Sequence, residues 1–187
     1  MQNRKRMLSG ILLGAMLLPG CNAEALNGYR DELELRVYGN GNLEEIEIDC
    51  LDQLMSQYAD SLFCIDGNDV DQAQLRAIAP NEDADEWNQT YTRNQTYSEL
   101  ETYQLMDIYV ETPEYVQCLC LCEAVYQDWR IPEDSYWFIV QVDAVKEIGG
   151  WKVQDSALKG TARVRDTAVV RDDVTGVIKF IERGEMK

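Results

Sequence analysis

The side chains best suited to chemistry in this chain are six cysteines, Cys21, Cys50, Cys64, Cys118, Cys120 and Cys122, in a sequence that contains no histidine. Without an imidazole, Ser-His-Asp and Cys-His nucleophile arrangements are excluded, as are the usual zinc sites of hydrolases. No Gly-rich phosphate loop occurs. Cys118, Cys120 and Cys122 alternate with Leu119 and Leu121, which in a strand puts the three thiols on one face and makes both faces apolar. That is the pattern of a buried central strand, and side chains spaced along a line do not wrap one tetrahedral ion. No metal, cofactor or catalytic residue is therefore expected. Setting Cys21 aside leaves an odd number of thiols, so at least one stays outside any intramolecular disulfide. Cys50 and Cys64 fall near the ends of one expected helix and can pair only if it breaks. The carboxylates of Asp83-Ala84-Asp85-Glu86 suit acid-base work or calcium, but they stand in a polar stretch where nothing would shift a pKa, and they read as surface. Trp87, Trp129, Trp137 and Trp151 read as core aromatics more readily than as pocket or partner-face residues.

Lys and Arg number 17 against 34 Asp and Glu, a net charge of −17. A chain this acidic is repelled by nucleic-acid phosphates, no basic stripe offsets the repulsion, and no nucleic-acid partner is expected. The exception to the acidity is the start. Asn3-Arg4-Lys5-Arg6 is a basic flank, and Met7 to Gly20 is an apolar and small-residue run of export-signal length, too short to span a bilayer as a helix. Leu18-Pro19-Gly20-Cys21 then resembles the lipobox of bacterial lipoproteins: an aliphatic residue, a variable one, a small one and the cysteine that becomes residue one. This resemblance, which covers the first 21 residues, implies removal of residues 1–20, lipidation of Cys21 and anchorage to the outer face of the cytoplasmic membrane. Loss of Arg4, Lys5 and Arg6 would leave 14 basic against 34 acidic residues, a net −20. One acyl chain binds a membrane only weakly, and the two chains of a diacylglyceryl group hold it stably. The alternative is that Met7 to Leu18 remains as an uncleaved anchor.

The elements that must position any site follow from periodicity. Residues 21–40 form a tether with a possible first strand or arm at Glu32 to Tyr38. Asn42 and Glu45 signal a helix start, and Leu43, Ile46, Leu51, Leu54, Met55, Tyr58 and Leu62 keep helical spacing toward Phe63. A second helix is expected where Val70, Ala73, Ala77 and Ile78 share a face before Pro80. Residues 81–98 read as a short helix or an irregular connection. Strands are expected at about 100–111, 115–128, 136–147 and 151–158, an antiparallel meander of short connections. In the extension at 161–187, an edge strand is expected over Thr161 to Val170, and Asp172 and Asp173 precede Val174, Val177, Ile178 and Ile181 at helical spacing. The fold class is α+β: N-terminal helices packed on a curved antiparallel sheet of four or more strands.

The order of two helices, an Ala-Pro, an irregular stretch and long strands ending in Gly149-Gly150-Trp151-Lys152-Val153-Gln154-Asp155, preceded by Tyr136-Trp137-Phe138-Ile139-Val140-Gln141-Val142, resembles the nuclear transport factor 2-like superfamily. The resemblance spans residues 43–158, within a domain of 41–160. It implies a cone in which a bent sheet wraps a helix around a cavity that some members use for small ligands or catalysis and others for assembly. Isomerase-like members need an aspartate base and tyrosine acids in an apolar pocket, and Asp107, Asp128, Asp143, Tyr103, Tyr109 and Tyr136 stand in the expected sheet. Fold does not choose among these uses. The leading expectation is a non-catalytic, membrane-anchored module that binds a protein partner or small ligand, as in an envelope or conjugation-type assembly. The alternatives are a cavity enzyme of the isomerase or dehydratase kind and a solute-binding lipoprotein.

Overall fold

The computed structural model describes residues 33–39, 41–63, 78, 95–128 and 132–185, with the side chains of residues 95–97 and 128 outside that description. In chain order the elements are β1 (Arg36–Gly39), α1 (Glu45–Phe63), β2 (Gln95–Thr112), β3 (Tyr115–Asp128), β4 (Asp134–Glu147), β5 (Gly150–Arg163), β6 (Thr167–Arg171) and β7 (Ile178–Glu182). Strands β1 to β5 form one sheet in sequence order, and β6 and β7 form a separate hairpin. The meander β2 to β5 is antiparallel, whereas β1 runs parallel to β2, pairing Arg36 with Asp107 and Gly39 with Val110. The sheet is therefore mixed and not wholly antiparallel. Gly39 permits that ending: its φ is +105°, and a Cβ there would lie 2.1 Å from the Val110 carbonyl oxygen.

Helix α1 follows β1, so helices do not lead the described chain, and it starts three residues after Asn42. Gly41 is held against Val110, where a Cβ would come within 2.4 Å of Cγ1, which keeps this stretch against the sheet edge. Glu44 takes the cap, its backbone N–H donating to Glu47 Oε2 at 3.0 Å. Leu51, Leu54, Met55, Tyr58, Leu62 and Phe63 then face the sheet. The buried Tyr58 and Ser156 hydroxyls, 2.6 Å apart, tie α1 to β5. The second expected helix lies outside the described residues except for Ile78, which is helical and buried in the same core.

Strand β2 starts at Gln95, earlier than local pattern implies, because its length is set by pairing with the far end of β3 up to Asp128. Register shifts interrupt β2–β3 at four places and β4–β5 at two. Such shifts bend strands and reset which residues share a face. Leu105 and Ile108, three apart, thus both enter the core beneath α1, while Met106 packs on the opposite face.

The tail differs most from expectation. Thr161 to Arg163 continue β5, and Val174 to Ile181 do not form a helix. Asp172 Oδ1 accepts from the N–H groups of Val174 and Thr175, and the chain reverses through Gly176 at φ +72° into β7. Those Asp172 bonds imitate a helix cap but close a turn. The hairpin covers the sheet's other face, where Val169 and Ile178 join Leu33, Met106, Leu121 and Ile139 in a second core. Phe180 lies so close over β5 that a Cβ on Gly160 would be 2.9 Å from its ring.

Leu51 is wholly buried at the centre of the first core. Leu51→Ala is expected to cost about 3 kcal/mol from lost burial and a cavity, read as a shift of the urea midpoint at unchanged slope.

Candidate functional site

The alternation of the three thiols on β3 sets them on the face beneath α1, beside Tyr103 on β2. Cys118, Cys120 and Cys122 are buried with free thiols, and Cys50 is exposed on α1. Burial pushes the Cys118 and Cys122 thiols up to about 12 and Cys120 well above its usual value. Such thiols stay protonated and unreactive near neutrality. Burial also raises the Tyr58 phenol to about 12 and Tyr103 further, the latter donating to Asp52 Oδ1 on α1 at 3.1 Å. Among the described residues, no three Cys, Asp or Glu side chains are grouped so as to hold a metal ion. Cys21, Cys64, Asp83, Asp85, Glu86, Trp87 and Trp129 lie outside the described residues.

The aspartates and tyrosines singled out in the sheet are divided between its faces. Tyr103 and Tyr136 belong to the α1 side, where Tyr136 is buried against Phe138 and Tyr126. Asp107, Tyr109 and Asp143 lie on the other side, since their neighbours Ile108, Val110, Val142 and Ala144 are the ones in the α1 core. Asp128 closes β3, and its side chain is outside the description. Asp143 accepts from the Tyr115 hydroxyl at 2.7 Å and from Gln141 Nε2 at 3.1 Å. This carboxylate raises the Tyr115 phenol's pKa by hydrogen bonding to its protonated form. Trp151 packs in the first core, and Trp137 packs at the second with its indole N–H buried and without a hydrogen-bond partner among the described residues.

Asp107 is committed to a cation that sequence reading passed over. Arg171, at the end of β6, has a side chain only 6% exposed and donates from Nη1 to Asp107 Oδ1 at 2.7 Å. The same nitrogen reaches the Gly176 carbonyl at 3.3 Å and the Tyr38 hydroxyl at 3.5 Å. Nη2 reaches the carbonyls of Met106 at 3.2 Å and Glu34 at 3.3 Å. Beside it, Gln104 Nε2 donates to the Leu33 carbonyl at 2.6 Å. One guanidinium thus joins the hairpin, the turn at its tip, β2 and the segment that leads into β1. An Arg after Ala168-Val169-Val170 carries no sequence signal of a partner 64 residues earlier.

No family model matches the chain, and no curated protein matches it at a significant level. Among solved structures, the intermembrane-space region of the chloroplast protein ARC6 is similar over 63% of this chain and 98% of its own, at 12% identity and a TM-score of 0.48. A protein described as a Ca/calmodulin-dependent kinase II association domain, from Exiguobacterium sibiricum, is similar over 63% of this chain and 95% of its own, at 13% identity and a TM-score of 0.41. Both scores are below 0.5, and neither likeness carries an argument about family, ligand or assembly. The described residues form an α+β domain with a mixed five-stranded sheet, a helix on one face and a hairpin on the other.

Two outcomes follow. Asp107→Ala leaves the Arg171 guanidinium buried without its counter-charge and is expected to cost about 3 kcal/mol, whereas replacing both by apolar residues costs less; a urea double-mutant cycle measures the difference. The raised thiols bear on alkaline stability. An acid whose pKa is higher in the folded state contributes stability that is present below its unfolded value, 9.0 for cysteine, and is lost as pH rises through its folded value. Stability is therefore expected to fall from about pH 9 toward pH 12, and the slope to flatten in Cys118→Ala/Cys122→Ala; identical wild-type and variant slopes would contradict this.

Proposed function

We propose that the chain is an exported lipoprotein, held in the cell envelope by lipid on Cys21, whose domain is a non-catalytic module binding a protein partner or small ligand. The observation that supports the non-catalytic part is that both sheet aspartates are engaged by protein groups: Asp107 is ion-paired with Arg171 at 2.7 Å, and Asp143 accepts from the Tyr115 hydroxyl at 2.7 Å and from Gln141 Nε2 at 3.1 Å. A proton-abstracting carboxylate has to share an apolar pocket with its acid partner; Tyr103 and Tyr136 are on the opposite face from Asp107 and Asp143, and Tyr109, on the same face, is 50% exposed. The α1 face beneath which a cone cavity would open is occupied by Leu51, Met55 and Tyr58, each at most 1% exposed.

The anchor part rests on the Leu18-Pro19-Gly20-Cys21 motif with its basic flank and apolar run. We read the domain as a nuclear transport factor 2-like cone, on the strength of a helix laid across a bulged antiparallel meander that ends in the Gly149-Gly150 turn. The parallel β1 and the hairpin over the second face are additions to that plan. An envelope assembly suits such a module because a tethered domain meets partners in the same membrane at high effective concentration.

The test compares wild type with Cys21→Ala in a bacterial host. Wild type is expected to lose residues 1–20, to gain acyl mass on Cys21 and to sediment with membranes, while the variant does none of these. Retention of Met1 with no acyl mass on the wild type would refute the anchor.

A further inference from the structure

Four exposed apolar or aromatic side chains stand together at the corner where the first described residues enter the domain. Val174 and Val177, in the turn at the hairpin tip, are 94% and 59% exposed, and Tyr109 and Tyr38 are 50% and 39% exposed. They are neighbours. Tyr38 pairs with Tyr109 across β1–β2, and a Cβ on Gly176, between the two valines, would lie 3.5 Å from the Tyr38 hydroxyl. Arg171 fixes the arrangement by bonding the Gly176 carbonyl, the Tyr38 hydroxyl and the Glu34 carbonyl together.

We infer that this corner, formed by Tyr38, Tyr109, Val174 and Val177, is the face by which the anchored domain rests on the lipid bilayer. The inference depends on the anchor at Cys21 proposed above. Residues 22–32 are all that separate the lipidated cysteine from Leu33, a contour of at most about 40 Å. Leu33 and Glu34, the first described residues after the anchor, are clamped beside the corner by Gln104 and Arg171.

Three further observations favour a bilayer over other occupants. Tyrosines with an apolar ring and polar tip suit the headgroup level, and Arg36, beside Tyr38, extends a cation from an apolar stem. The local carboxylates are largely compensated: Asp107 is paired with Arg171 and Asp172 with Lys179, so Arg36, Arg171 and Lys179 oppose Glu34, Asp107, Asp172 and Asp173 in a chain of net −17. A second copy would bring an equally acidic body against this corner, whereas a zwitterionic bilayer brings no net charge.

The experiment uses the full, lipidated chain in phosphatidylcholine vesicles with and without brominated acyl chains. A bimane label is placed at Val177→Cys or, at the opposite end of the hairpin, at exposed Glu185→Cys, both in a Cys50→Ser/Cys64→Ser background, after mass spectrometry of Cys21. With the acyl mass present, brominated lipid is expected to quench the label at 177 at least twofold more than the label at 185. Equal quenching at both positions, with lipid on Cys21, would overturn the bilayer face and leave the anchor standing. Emission at 177 that follows protein density in the vesicles and ignores bromine would also overturn it, in favour of a second copy. Absence of acyl mass would remove both readings together. Val174→Asp/Val177→Asp adds a check that needs no label at the corner: on the lipidated chain it is expected to raise proteolysis of the tether at least twofold in vesicles and to leave the rate in detergent unchanged.

Discussion

The middle of strand β3 is apolar on both faces, and the architecture follows from that constraint. One face carries Val116, Cys118, Cys120, Cys122 and Ala124, and the other carries Leu119 and Leu121. Flanking strands satisfy its backbone groups on both edges but cover neither face. Helix α1 covers the thiol face. The second face requires another layer, and the chain supplies it from its own end as the β6–β7 hairpin, with Leu33 from before β1 completing the cluster. The domain is therefore three layers built around one strand.

The outer layer is small, and its attachment combines two kinds of interaction. Apolar contact of Val169, Ile178 and Phe180 supplies non-directional burial, and Arg171 supplies direction. A nearly buried guanidinium is costly to desolvate, and here its donors meet a carboxylate, a hydroxyl and three carbonyls. Because two of those acceptors belong to Met106 and Glu34, the position of the hairpin and the path of the chain into β1 are decided together. Binding at the hairpin tip would be felt where the tether joins, through contacts and not through the thiol core.

The division of the sheet into two cores also governs its chemistry. Aspartates and tyrosines of one strand, such as Asp143 and Tyr136, invite pairing in a pocket, yet a strand sends odd and even positions to opposite sides. The pairs that do form, Tyr103 with Asp52 and Tyr115 with Asp143, join residues from different elements. Neither tyrosine partner is inferable from spacing along one strand.

What the sequence determined by itself is what local periodicity and composition carry. The amphipathic spacing toward Phe63 specifies α1, alternation and turn residues specify the four meander strands within a few positions, and the Cys-Leu alternation specifies a strand apolar on both faces. The tertiary structure decided what depends on contacts between distant residues. The parallel pairing of β1 requires β2, seventy residues on, to accept it. The phase of each strand beyond a register shift depends on the partner strand opposite. Val174 to Ile181 have helical spacing but form a turn and a strand, because Ile178 and Phe180 gain more from covering the second sheet face than from a helix that would leave that face wet. Arg171 finds Asp107 for the same reason: burial of that face brings them together, and no spacing within either segment records it.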